Sequence, residues 1–328
     1  MKIAVVGLGA VGGLLAARLV RCGQEVCAVA RGATLHAMRT QGLQLDMDGR
    51  SDRIEMPCTD DPRTLGAQDL VIVALKGQAL ADVAQTLHPL LAPHTLVMPA
   101  MNGVPWWFLQ AAPAALALGS RRLSSVDPHG RIEAALALEQ VLGCVVHLTC
   151  SSPEPGRVRH GFGHRLIVGE PAGGDSDRTR SVCAVLASAG FEAEASADIR
   201  LDTWYKLWGN MTMNPVSALT GATSDHILDD PLVVEFMVRT MEEAARIGAQ
   251  IGCPIAQSGA ERLALARPLG AFRTSMLQDL QAGRSLELDA LVTAVREIGQ
   301  RLQIATPNID ALLGLTRLMA RQRGLYPA

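Results

Sequence analysis

Lys2-Ile-Ala-Val-Val-Gly7-Leu-Gly9-Ala-Val-Gly12 decides how the first half of the chain folds. The apolar, β-branched start reads as a buried parallel strand. The stretch from Gly13 to Cys22 reads as a helix, stopped by Gly23. The glycines between them have separate uses. Gly7 permits the tight turn, Gly9 lets backbone approach a pyrophosphate, and Gly12 lets helix and strand pack closely. The helix N-terminus then faces the phosphates with its unpaired N–H groups. A second strand, residues 25–31, completes the context that the motif needs. The loop Gly7, Leu8, Gly9, Ala10, Val11 and Gly12 is therefore expected to bind a dinucleotide.

The end of the second strand bears on which one. An acidic residue there would hold a ribose 2′-hydroxyl. The chain has Ala30-Arg31-Gly32 instead. An arginine suits a 2′-phosphate, and no carboxylate is expected there to repel it. The expected cofactor is NADP(H). Further strands are read at 54–58, 69–75 and 95–99, with a helix at 78–91. Ligands of open α/β sheets gather at the carboxyl ends of strands. Lys76 and Asn102 follow two such ends; either could equally be a turn residue. From 121 to 170 the helical pattern fades, and short strands separated by turns read as antiparallel hairpins extending or edging the sheet. His147, His160 and His164 lie here, but their spacing matches no compact metal site.

After residue 197 the period stays helical. Helices are expected at 198–213, 231–251, 257–266, 272–282, 286–303 and 308–322, with Asn214-Pro215 breaking or kinking the first. Within it, Lys206, Asn210 and Asn214 recur every four residues and share one face. Trp204 and Trp208 repeat that spacing alongside. The stripe is either a partly exposed face with a snorkelling lysine or a reactive one. Ser275 and Glu287 stand near two later helix starts, where capping and complementing the helix dipole are alternative explanations. The reading is α/β: a Rossmann-type doubly wound parallel sheet with added antiparallel strands at 1–197, followed by an all-α domain at 198–328.

Composition sets the remaining bounds. The chain has 328 residues, 48% hydrophobic and 19% charged, with a formal net charge of −2. That gives no electrostatic footprint for nucleic acid or a membrane surface. No apolar run reaches the roughly 20 residues of a membrane span. Seven cysteines at wide spacings, without a CxxC, argue for a reducing, cytoplasmic setting rather than a disulfide framework.

Taken together, the chain resembles the 2-dehydropantoate 2-reductase (ketopantoate reductase) family over nearly its whole length. The resemblance rests on Gly7-x-Gly9-x-x-Gly12, Arg31, Leu75-Lys76, Asn102-Gly103, His160-Gly161-x-Gly163, Lys206-Leu207 with Asn210 and Asn214-Pro215, Ser275-Met-Leu-Gln-Asp279 and Glu287-Leu-Asp289. It implies reduction of 2-dehydropantoate to (R)-pantoate, in pantothenate biosynthesis, with hydride from NADPH and a proton from Lys206. It further implies that Glu287 binds the substrate hydroxyl, that Asn210, Asn214 and Ser275 hold the substrate, and that Asn102 sits near nicotinamide and lysine. The glycine loop, Arg31 and Lys76 would serve the cofactor. A small 2-oxo acid is the implied partner, no metal is implied, and a monomer or homodimer is expected.

Three departures bear on the substrate. Met101-Asn102-Gly103 replaces the usual Gln-Asn-Gly, Leu286 the usual Thr, and residues 125–131 a small Thr/Gly-rich turn. Trp106 and Trp107 either pack or reshape an apolar wall. The alternatives are a sister 2-hydroxy acid dehydrogenase and a non-catalytic NADP(H) sensor.

Overall fold

The computed structural model describes residues 1–112 and 118–327. Ten strands lie among them: β1 (Lys2–Val6), β2 (Glu25–Val29), β3 (Leu43–Met47), β4 (Arg50–Ile54), β5 (Cys58–Thr59), β6 (Leu70–Val73), β7 (Leu96–Pro99), β8 (Gly143–Ser151), β9 (Arg157–Gly169) and β10 (Glu192–Ser196). Five form one parallel sheet in the order β5-β2-β1-β6-β7. The chain runs outward from β1 in one direction, then crosses back to β6. That reversal makes a topological switch point at the carboxyl ends of β1 and β6.

The remaining strands form a second sheet, ordered β10-β9-β3-β4 with β8 paired to β9. The hairpins expected to extend or edge the first sheet thus build their own layer; one isolated bridge, Val97 to Val141, links the segment before β8 to β7. The helix Ala10–Arg21 packs against strands of both sheets. It is consequently buried along most of its length, with Leu14, Leu15 and Leu19 fully covered. Gly13 is required there, because a Cβ would stand 2.5 Å from Val158 Cγ2. Arg18 is buried too, over the Phe191 ring and donating to the Ala189 carbonyl.

The β3–β4 hairpin was not expected, and the strand expected at 54–58 is only Cys58–Thr59. The hairpin signal is present in the chain, as Asp48-Gly49 between two alternating runs. Both residues adopt positive φ, 53° and 73°, as a two-residue type I′ turn demands.

The chain divides into two compact units, Met1–Met101 with Gly130–Asp202, and Asn102–His129 with Thr203–Ala328. This differs from the contiguous halves 1–197 and 198–328. The segment after Met101 belongs to the helical unit for concrete reasons. Phe108 stacks on Trp204 with ring centroids 5.8 Å apart. Ser124 N and Ser125 N donate to Glu297 at 2.9 and 2.8 Å, and Arg301 donates to the carbonyls of Ser120 and Arg122. Trp106 and Trp107 are 2% and 1% exposed, so both pack rather than line an open wall.

The helical unit is built on the helix Ile199–Thr220. Pro215 sits inside it, so Asn214-Pro215 does not end it. Residues 211–218 are all buried, and that packing outweighs the one backbone hydrogen bond a proline removes. Around it lie Ser224–Asp229, Pro231–Gln250, Gly259–Ala264, Ser275–Gln281, Ala294–Arg301 and Pro307–Gln322. The buried carboxylate of Glu243 is satisfied by three donors, the backbone N–H groups of Asn308 and Ile309 and the Asn308 amide. Among the described residues, no helix is long and apolar enough to cross a membrane.

Candidate active site

A cavity of about 860 Å³ opens at the carboxyl edge of the parallel sheet. Its wall includes Gly7, Leu8 and Gly9 from the first turn, Arg31 and Thr34 beyond β2, and Leu75 beyond β6. The three glycines divide the work as their spacing requires. Gly7 has φ +93°, and a Cβ there would lie 2.8 Å from the Ala74 carbonyl oxygen. A Cβ on Gly12 would lie 2.0 Å from the Gly7 oxygen. Gly9 has nothing within 4 Å of where a Cβ would stand, so its backbone is open to a ligand. Ala10 and Val11 form the first turn of Ala10–Arg21, with Gly9 at the N-cap. Gly9 combines an exposed backbone, a helix N-terminus and a place on the cavity wall. A pyrophosphate fits such a cradle.

Arg31 is exposed and stands at the N-cap of a second helix, Gly32–Gln41. Among the described residues, its guanidinium has no hydrogen-bond or ion-pair partner. The cavity wall nonetheless carries carboxylates, contrary to the sequence reading. β5 pairs with β2 and brings Asp60 and Asp61 to the same wall. Each faces an arginine. Arg63 grips Asp61 through both oxygens, at 2.8 and 2.7 Å, and holds its carboxyl below the usual carboxylate range. Arg39 lies 3.8 Å from Asp60. Spacing along the chain gives no sign of this juxtaposition, because it arises from strand order. Lys76 follows the wall residue Leu75 and is the N-cap residue of Gly77–Val83.

The second set of candidates lies in the helical unit. Lys206 and Asn210 are half-buried on Ile199–Thr220, and Asn214, one turn on, is 4% exposed. The Lys206 ammonium donates to Asn102 Oδ1 at 2.8 Å, across 104 residues of chain. Asn214 Nδ2 reaches Ser275 Oγ at 3.5 Å. The stripe is thus neither solvent face nor core. Trp204 and Trp208 pack behind it, with Trp208 Nε1 bonded to the Met241 carbonyl at 2.7 Å.

The loop that delivers Asn102 is tightly fixed. Gly103 has φ +87°, and a Cβ there would meet the Ala290 backbone at 2.7 Å; Val104 N donates to Ala290 O at 2.8 Å. The capping explanation fails for Ser275, which is the first residue of Ser275–Gln281. Thr274 is the N-cap and accepts from Leu277 N. The dipole explanation is altered for Glu287, which precedes the helix. Residues 284–287 have no regular structure, and Asp289–Thr293 is a π-turn before Ala294–Arg301.

An ammonium held among amides can stabilise charge on a carbonyl oxygen and give it a proton. The glycine-turn cavity, in the other unit, is shaped to cradle a dinucleotide. Those two sets of residues are the equipment of a nicotinamide-dependent oxidoreductase acting on a CH–OH group. Comparison with known proteins carries this further. The family models for ketopantoate reductase PanE/ApbA match residues 3–173, and for its C-terminal part residues 198–320. A 2-dehydropantoate 2-reductase of Mesorhizobium japonicum is 40% identical over 99% of this chain and 100% of its own. A Ralstonia solanacearum MolK2 protein, solved as a candidate ketopantoate reductase, is 56% identical with a TM-score of 0.95, covering 99% of each chain. A Ralstonia eutropha ketopantoate reductase of the same family aligns at 26% identity and TM-score 0.83, over 99% of this chain and 100% of its own. The chain belongs to the ketopantoate reductase family.

Proposed function

We propose that the protein reduces 2-dehydropantoate to (R)-pantoate with NADPH, serving pantothenate biosynthesis. The observation that carries this reading is the Lys206–Asn102 hydrogen bond: the ammonium is anchored to an amide and stands on the helix face that also carries Asn210 and Asn214. NADPH, when bound, supplies the hydride to the ketone carbon. The ketone oxygen then gains charge, and the Lys206 ammonium stabilises it and transfers a proton from Nζ. Asn102 Oδ1 fixes the direction of that ammonium. Asn210, Asn214 and Ser275 hold the substrate hydroxyl and carboxylate, and Glu287 accepts from the hydroxyl. Lysine left neutral by the transfer regains its proton from water.

On the cofactor side, Gly7 to Gly12 would cradle the pyrophosphate, and Lys76, beyond the end of β6, would also serve the cofactor. Arg31, unpaired at a helix N-terminus, takes the 2′-phosphate. Asp60 and Asp61 weaken this only slightly, since each already has an arginine partner. Substituting Arg31 by Ala should raise KM for NADPH about tenfold or more and leave that for NADH nearly unchanged. Equal effects on both would remove the 2′-phosphate role. The enzyme works on small molecules as a monomer or homodimer, and its free thiols suit the cytoplasm.

Met101 and Leu286, where the family differs, favour a second reading, a sister 2-hydroxy acid dehydrogenase. The fold admits it: D-mandelate dehydrogenase, solved with NADH and anilino(oxo)acetate, superposes with TM-score 0.86 at 20% identity. The test is steady-state oxidation of NADPH with 2-dehydropantoate beside a panel of 2-oxo acids. The highest kcat/KM on 2-dehydropantoate supports the first reading, and a higher value on another acid supports the second. Tight NADPH binding with no turnover on any would leave a sensor.

A further inference from the structure

Glu287 has no helix of its own to hold it. Its segment, 284–287, lies between the end of Ser275–Gln281 and the π-turn Asp289–Thr293. A π-turn is a rare departure from the α-helical turn and is frequent at functional sites. Yet the segment is tied on both sides by residues that neither the glycine motif nor the lysine helix involves. Leu286 N donates to the Leu325 carbonyl at 2.9 Å. Tyr326 Oη donates to Asp289 Oδ1 at 2.5 Å. Ala290 O accepts from Val104 N in the Asn102 loop. Leu286 and Leu288 on either side of Glu287 are 2% and 0% exposed, so their side chains are locked.

The geometry points to Tyr326 as a positioning residue for Glu287: its phenol on Asp289 and the neighbouring Leu325 carbonyl on Leu286 clamp the unstructured segment between them. This rests on the substrate-binding role given to Glu287 above. A phenol–carboxylate bond of this length is charge-assisted and stronger than a neutral one. Burial, and then the Asp289 carboxylate itself, push the Tyr326 hydroxyl up to about 12, so it remains a donor across the working range. The Arg321 guanidinium lies over the same ring at 5.7 Å, and its Nε donates to the Pro327 carbonyl, which steadies the strap from behind. Neither Tyr326 nor Leu325 is asked to touch substrate.

The test is a double-mutant cycle on the full chain, with Tyr326→Phe, Glu287→Gln and the pair. Tyr326→Phe keeps the ring and removes only the donor. Its expected effect is about a tenfold fall in kcat/KM for the oxo acid, with KM for NADPH unchanged. In the Glu287→Gln background the same substitution should cost less than twofold. Asp289→Asn, which keeps an oxygen acceptor, should lie between wild type and Tyr326→Phe. Unchanged kcat/KM in Tyr326→Phe, or the same loss in both backgrounds, would overturn the inference and leave the role of Glu287 standing. Full activity of Glu287→Gln alone would overturn both. If Tyr326→Phe is too unstable to assay, Asp289→Asn carries the cycle with the same two outcomes.

Discussion

Gly9 and Gly12 differ by three positions and should respond oppositely to one methyl group. Gly12→Ala drives a Cβ into the Gly7 carbonyl, and neither backbone can yield; a loss of about 3 kcal/mol is expected, read from urea unfolding. Gly9→Ala meets no atom and has φ −74°, which alanine tolerates. Its stability should be within about 0.5 kcal/mol of wild type, while NADPH affinity, followed by fluorescence, falls. Equal behaviour of the two variants would contradict the roles argued for them. Lys206→Ala should lower kcat by about 10² to 10⁴ with NADPH binding retained; near-normal turnover would remove lysine as proton donor. These residues were legible because glycine sterics and helical spacing are local. Asp60, Asp61 and Arg63 were not, because only the pairing of β5 with β2 brings them to the cavity. Tyr326 was hidden for the same reason, lying nearly forty positions from the carboxylate it binds.

At the scale of elements, period and turn chemistry gave most boundaries, and packing explains where they failed. The helix Ile199–Thr220 runs through Pro215 because its surroundings are buried. The π-turn Asp289–Thr293 has no period to reveal it; its nearest physical correlate is the contact of Gly103 with Ala290, which needs both chain segments at once. Glu297 illustrates how such distant segments are joined. Burial alone would raise its carboxyl, but hydrogen bonds from Ser125 and Ser124 and the Arg301 guanidinium outweigh it and hold it below the usual value. A carboxylate whose folded pKa is depressed contributes fully above its unfolded value, about 4.3, and loses that contribution as pH falls through the folded one. Glu297→Gln should therefore cost about 2 kcal/mol at pH 7 and show a shallower loss between pH 5 and 3. Parallel acid profiles for variant and wild type, measured by urea midpoint, would count against this.

For the whole molecule, the sequence marks where the helical half begins but conceals that an earlier stretch belongs to it. Composition changes little between residues 101 and 130, and Asn102-Gly103 reads as an ordinary loop. What assigns the stretch is tertiary: Trp106 and Trp107 are buried, Phe108 lies on Trp204, and two serines bind Glu297. A fragment of residues 1–202 keeps that apolar stretch without its partners and should aggregate on size-exclusion chromatography. Joining residue 101 to 130 through a Gly/Ser linker, still ending at 202, should give a monodisperse protein that binds NADPH. A well-behaved 1–202 fragment would contradict the division into units. The same interleaving sets a timetable for biosynthesis. The ribosome delivers Trp106, Trp107 and Phe108 about a hundred residues before Trp204, so at 5–20 residues per second they wait for on the order of ten seconds. During that interval the nascent chain displays its three largest early aromatics to chaperones, while the helix Ala10–Arg21 behind the glycine turn still lacks the second-sheet strands, from residue 143 onward, that pack against it.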